Sequence, residues 1–122
     1  MLADERFAPA VRDRLAVPGQ ALAAPNLLDF EVASAVRRKL LREEIRHEQA
    51  AAAIGLLERL RVTRYPNSAL LRRSWELRDR LTIYDAAYVA LAERLAVPLV
   101  TLDARLQRAA ARHVAVELPA HP

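Results

Sequence analysis

From residue 62 onward the chain alternates short apolar runs with segments of helical periodicity, and no other feature restricts its fold so much. Val62–Tyr65 alternates in the strand manner and stops at Pro66, after which Asn67 or Ser68 is placed to cap a helix carrying Leu70, Leu71, Trp75 and Leu77. Residues 84–95 form an Ala-rich helix, 97–102 a buried strand, 104–112 another helix, and 114–118 a closing strand. Parallel neighbours need crossover connections, usually helices, so this order predicts an α/β fold, a sandwich with a mainly parallel sheet. Sites in such sheets form just beyond the carboxyl ends of the strands.

The first half is compatible with the same plan. Phe7, Val11 and Leu15 recur at four-residue spacing, predicting an amphipathic helix over residues 4–15 that Pro18-Gly19 breaks. A brief strand is expected over 20–24, followed by a Pro25-Asn26 turn in which Asn26 serves as N-cap. The next helix carries Leu28, Val32, Ala35, Val36 and Leu40, with Arg37, Arg38 and Lys39 near its end, where positive charge suits the helix dipole. A further helix over 47–60 shows Ala51, Ile54, Leu57 and Leu60 on one face.

A chain of 122 residues fits one domain, residues 1–122, and its 53% hydrophobic content belongs to a folding rather than a disordered sequence. The absence of cysteine excludes disulfides, thiol catalysis and Cys-ligated zinc, and suits a reducing cytoplasm. No signal peptide or membrane-spanning run is visible. With Gly19 and Gly55 the only glycines, a Gly-rich phosphate loop is excluded. The 19 Lys+Arg against 15 Asp+Glu give a net charge of +4, a mild attraction to a polyanion such as RNA or to an acidic partner. Lys39 is the only lysine, so the arginine bias reflects a GC-rich genome as readily as phosphate recognition.

Three acidic residues stand where a solvated-surface reading fits poorly. Glu31 lies in the first turns of a largely apolar helix, Asp85 three residues after Thr82, and Asp103 directly after the strand Leu99-Val100-Thr101-Leu102. Asp85 also reads as half of a capping box and Asp103 as an N-cap, while Asp29 is explained by the positive end of its helix. Helix starts and strand ends gather at one edge of a parallel sheet, so the carboxylates can converge there. Converging carboxylates repel one another unless a divalent cation compensates. Hard oxygen donors favour Mg²⁺ or Mn²⁺, and such an ion supports phosphodiester hydrolysis. Thr101, two residues before Asp103, is placed to orient a water, and Arg105 and Arg108 are candidate RNA phosphate contacts. His47, His113 and His121 lack the spacing of a zinc pair and read as surface. Trp75, Tyr84 and Tyr88 read as core.

The segments Leu81-Thr82-Ile83-Tyr84-Asp85-Ala86-Ala87-Tyr88-Val89-Ala90-Leu91-Ala92, Pro98-Leu99-Val100-Thr101-Leu102-Asp103-Ala104-Arg105-Leu106 and Glu31-Val32-Ala33-Ser34-Ala35-Val36-Arg37 resemble the PIN-domain superfamily. Within it they look like the VapC-type toxins of bacterial toxin-antitoxin pairs. The resemblance implies a three-layer α/β/α sandwich, a Mg²⁺-dependent endoribonuclease and Glu31, Asp85 and Asp103 as metal ligands. It also implies a small cognate antitoxin and a homodimer. The family has a further aspartate on a first strand, which is expected to be absent here, since Met1-Leu2-Ala3-Asp4 directly precedes the helical run. A start codon assigned too far downstream and a shortened variant both account for this. Two functions therefore compete: a toxin ribonuclease, and an impaired module that dimerises or captures an antitoxin without cleaving RNA. A helix-turn-helix reading gains little, because the helices lack a compact glycine turn.

Overall fold

The computed structural model describes residues 22–101 and 103–117. The helix expected over 4–15, His121 and the question of a preceding strand lie outside the described residues. The elements run β1 (Leu22–Pro25), α1 (Leu27–Leu41), α2 (His47–Arg59), β2 (Val62–Tyr65), a 3-10 turn (Asn67–Ala69), α3 (Leu71–Glu76), α4 (Ile83–Leu95), β3 (Leu99–Val100), α5 (Ala104–Ala110) and β4 (Val116–Glu117).

Both strand pairs are parallel, as the alternation predicts. β1 pairs with β2 in the register Leu22↔Val62 to Pro25↔Tyr65, and β3 pairs with β4 through Leu99↔Val116 and Val100↔Glu117. The helices α1 and α2 make the first crossover and α5 the second. Among the described residues the strands form two two-stranded sheets rather than one continuous sheet. The last two strands are shorter than the apolar runs over 97–102 and 114–118, because only two residues of each find a partner.

The helix α4 joins the two sheets. Its residues from Ala86 to Ala92 are all buried, so it is apolar all round and sits in the interior, packed on α3, β1 and β3. One core cluster holds Ala24 of β1, Leu28 of α1, Ala86 and Val89 of α4, Leu99 of β3 and Leu106 of α5, while Leu70, Ala90 and Leu91 form a second.

Several expectations change in detail. Asn26 occupies the N-cap position of α1 without a side-chain cap bond. Its N–H instead continues the β1–β2 ladder to Tyr65 O at 2.8 Å, and the α1 start is capped from across the sheet, Leu27 N–H donating to Asn67 Oδ1 at 3.2 Å. On α2 it is Ala50 and Leu57 that are buried, and Ala51 faces solvent. Trp75 and Tyr84 are exposed, with the Arg78 guanidinium 4.5 Å from the Trp75 ring centre, so of the three aromatics only Tyr88 belongs to the core. Trp75 escapes the interior because α3 is only six residues long and buries only Ser74.

Candidate metal centre

The acidic residues lie near the starts of helices: Asp29 and Glu31 on α1, Asp85 on α4 and Asp103 at the cap of α5. Asp29 is held by β2, its two carboxylate oxygens accepting from Arg64 Nε at 2.9 and 2.8 Å. Arg64 also donates to the Val62 and Leu57 carbonyls, so this pair fastens α1 to the β2 end of the sheet. Asp29 is thereby spent on structure, by an ion pair as well as by its place in the first turn of α1.

Glu31 is different. Its Oε1 accepts a 2.6 Å hydrogen bond from Tyr88 Oη, 57 residues away on α4. Burial pushes the Glu31 carboxyl above the usual carboxylate range, the Tyr88 hydrogen bond opposes that, and the Asp85 charge adds to it. Tyr88 is in turn raised well above the ordinary phenol range by burial, by its bond to Glu31, and by the charges of Glu31, Asp85 and Asp29. Tyr88 thus bonds to Glu31 and lies within the influence of the Asp85 and Asp29 charges, and Glu31 and Asp85 carry no ion pair among the described residues.

Asp85 lies in the first turn of α4, and its backbone N–H donates to Thr82 Oγ1 at 3.1 Å, so Thr82 is the N-cap. A capping box would turn the Asp85 side chain back to the Thr82 N–H. Instead Asp85 Oδ1 is buried with no hydrogen-bond partner among the described residues. A buried carboxylate oxygen left unpaired is costly unless a cation or a donor meets it.

Asp103 is the N-cap of α5, its Oδ1 accepting from Arg105 N at 3.0 Å and Leu106 N at 3.2 Å. Thr101, 1% exposed, fixes this turn: its Oγ1 accepts the Asp103 N–H at 3.0 Å and its carbonyl accepts from Gln107 Nε2. The structure therefore brings Glu31 and Asp85 together around Tyr88, while Asp103 is not among the charges acting on that tyrosine. Among the described residues no group of three His, Cys, Asp or Glu is placed to hold a metal ion. Two carboxylates nonetheless suit a Mg²⁺-like ion, which keeps several waters and commonly takes only one or two protein carboxylates. The unpaired Asp85 Oδ1 is the observation that fits such an ion.

Sequence reasoning missed two participants. Tyr88 was readable only as core, although its place three residues after Asp85 puts it on the same helix face. Arg64 was readable only as part of the alternating run Val62–Tyr65, with no role assigned to it. His113, expected at the surface, is half-buried with Nε2 unpartnered in the interior. Arg105 and Arg108 are exposed on α5.

Parallel strands linked by helical crossovers, with acidic residues in the first turns of the helices and at a strand end, define an α/β protein. The chain belongs to the PIN-domain family, whose sequence profile matches residues 1–112. It is similar to Ribonuclease VapC1 of Mycobacterium tuberculosis, 53% identical over 87 residues that span 70% of this chain and 65% of that protein. Ribonuclease VapC9 of the same organism is 44% identical over 93 residues, 76% of this chain and 73% of the relative. Ribonuclease VapC12 is 39% identical over 103 residues, covering 84% and 79%. The match thus spans just under two thirds of the length of VapC1.

Proposed function

We propose that this chain is a divalent-metal-dependent endoribonuclease and acts as the toxin of a toxin-antitoxin pair. The observation that carries the reading is Asp85 Oδ1, buried and unpaired beside the half-buried Glu31 in a family whose relatives are named ribonucleases. Glu31, Asp85 and the free edge of Asp103 would hold the ion, Mg²⁺ or alternatively Mn²⁺. The ion supplies positive charge against the phosphodiester and makes a water more acidic.

The protein's own groups do the rest. Tyr88 holds Glu31 in place. One of the carboxylates helps orient the attacking water and takes its proton as the water oxygen attacks phosphorus, while the P–O bond to the leaving sugar breaks and the sugar oxygen is protonated from solvent. Thr101 keeps its O–H to orient that water, and Arg105 and Arg108 draw in RNA phosphates. The single domain works in the cytoplasm as a homodimer, restrained by a small cognate antitoxin. No helix among the described residues is long and apolar enough to cross a membrane.

Substituting Asp85→Asn should abolish Mg²⁺-dependent cleavage of RNA and the calorimetric Mg²⁺ signal, leaving the circular dichroism spectrum unchanged. Cleavage that survives both Asp85→Asn and chelation would sink the proposal. A second reading, an antitoxin-binding or dimerisation module without cleavage, draws on the lack of a closed three-ligand group among the described residues and on the structural employment of Asp103. A wild-type chain that binds no Mg²⁺ and cuts no RNA would favour it.

A further inference from the structure

A cleft of about 480 Å³ is lined by Arg80, Arg105, Arg108, Ala109 and Arg112. Of the described residues that line it, four of five are arginines and none is acidic. All four arginines are exposed, and among the described residues none of their guanidinium groups has an ion pair or hydrogen bond. Arg64 pairs with Asp29, Arg46 with Glu48, and Arg73 with Glu76 and Glu93; other exposed arginines, Arg42 and Arg61 among them, also carry no ion pair among the described residues, and what sets these four apart is that they line one hollow. Four unpaired cations around one hollow repel each other, and an anion entering it relieves that repulsion.

The cleft residues are close in the chain to two of the candidate acids. Arg105 lies two residues after Asp103, in the first turn of α5, and Arg108 lies one turn further, about 4.5 Å along the axis. Arg112 follows in the turn that ends α5, and Arg80 lines the cleft from the segment leading into α4, five residues before Asp85. The arginines thus lead away from the carboxylates over a span of roughly 10 Å, at the 1.5 Å helical rise per residue. That is longer than one phosphate needs and suits several consecutive phosphates of one strand. Guanidinium forks also match phosphate oxygens in pairs.

We infer that Arg80, Arg105, Arg108 and Arg112 form a track for the backbone phosphates of the RNA strand flanking the scissile bond. The inference rests on the ribonuclease reading for the identity of the polyanion. It goes beyond that reading in assigning Arg80 and Arg112, and in placing strand binding apart from the chemistry. Because the contacts are to phosphate, the track grips any sequence and its strength depends on salt.

The test is binding of a fluorescent single-stranded RNA by anisotropy, with chelator present so that no metal-dependent cleavage occurs, across a salt series. The double variant Arg80→Ala/Arg112→Ala should bind roughly 25-fold more weakly at 0.1 M salt, with a log–log salt slope shallower by about 1.4, since each phosphate contact to a single strand contributes about 0.7. Arg80→Lys/Arg112→Lys should recover most of the slope. A charge-matched control, Arg42→Ala/Arg61→Ala, exposed and outside the cleft, should leave the slope unchanged. An unchanged slope in the cleft variant, or an equal loss in the control, would overturn the assignment. So would RNA binding that persists while binding of poly-glutamate is lost, which would give the cleft to an acidic protein segment. Arginine-dependent binding by a wild-type chain that never cleaves RNA would instead end the nuclease reading and leave the track standing.

Discussion

The bond between Tyr88 Oη and Glu31 Oε1, at 2.6 Å, is the contact on which the candidate site turns. It is short because the acceptor is a partly buried carboxylate, and charge-assisted bonds are shorter and stronger than neutral ones. Tyr88→Phe removes the donor and keeps the packing. Partners that orient a metal-binding carboxylate typically matter by 10- to 100-fold, so Mg²⁺ affinity measured by calorimetry at pH 7 should fall by about tenfold. The Glu31 carboxyl should move further upward, since the lost bond was opposing burial. An unchanged affinity would show that Tyr88 is core and nothing more. Glu31 also sets a pH dependence. Its folded-state value lies above its unfolded one, so the protonated carboxyl favours the fold. That contribution is complete below about pH 4.5 and is lost as pH rises through the raised value. The difference in urea midpoint between wild type and Glu31→Gln should therefore grow from acid toward neutral pH in metal-free buffer. Mg²⁺, which needs the ionised form, should bind more weakly as pH falls through the same window. At this scale the acids were legible in the sequence, because a carboxylate inside an apolar helical run is conspicuous. Their partners were not, since Tyr88 and Glu31 meet across 57 residues.

Among the elements, α4 shows how local chemistry and packing combine. Thr82 caps its start, and a cap of this kind is worth about 1 kcal/mol. Its end is less comfortable: Ala96 takes the left-handed conformation at φ 54°, with Val97 N–H reaching back to Ala92 O at 3.1 Å. A Cβ in that conformation costs roughly 1–2 kcal/mol, which glycine avoids. Ala96→Gly should therefore raise unfolding free energy by about 1 kcal/mol, read from the urea midpoint with an unchanged slope. A lower midpoint would mean that unfolded-state freedom outweighs the relieved strain. Helices were the legible elements, for their apolar periodicity runs over many residues. The strands were legible as runs but not in extent, because β3 and β4 end where pairing ends rather than where apolar sequence does. The cap of α1 escaped sequence reading altogether. Asn67 supplies it from 40 residues away, and only the β1–β2 register brings it there.

On the scale of the whole molecule, the central question is what makes two short sheets act together. The answer is a shared core on α4, in which Leu106 of α5, 3% exposed, belongs to the same cluster as Ala24 of β1 and Leu28 of α1. Leu106→Ala should cost about 2–5 kcal/mol, a large part of the 5–15 kcal/mol expected for a domain. Hydrogen exchange should quicken in β1 and β2 as well as in α5. Quickening confined to α5, β3 and β4 would show that the two sheets open independently. The sequence by itself determined the α/β class and the parallel connections and offered Glu31, Asp85 and Asp103 as candidates, because periodicity, crossover length and local polarity are written residue by residue. Tertiary structure decided the rest. It set Asp29 against Arg64, set Tyr88 against Glu31, left Asp85 Oδ1 unpaired, and gathered four arginines around one cleft. Whether a charge is neutralised, buried or left open depends on distances between segments far apart in the chain, and those distances exist only once the core has closed.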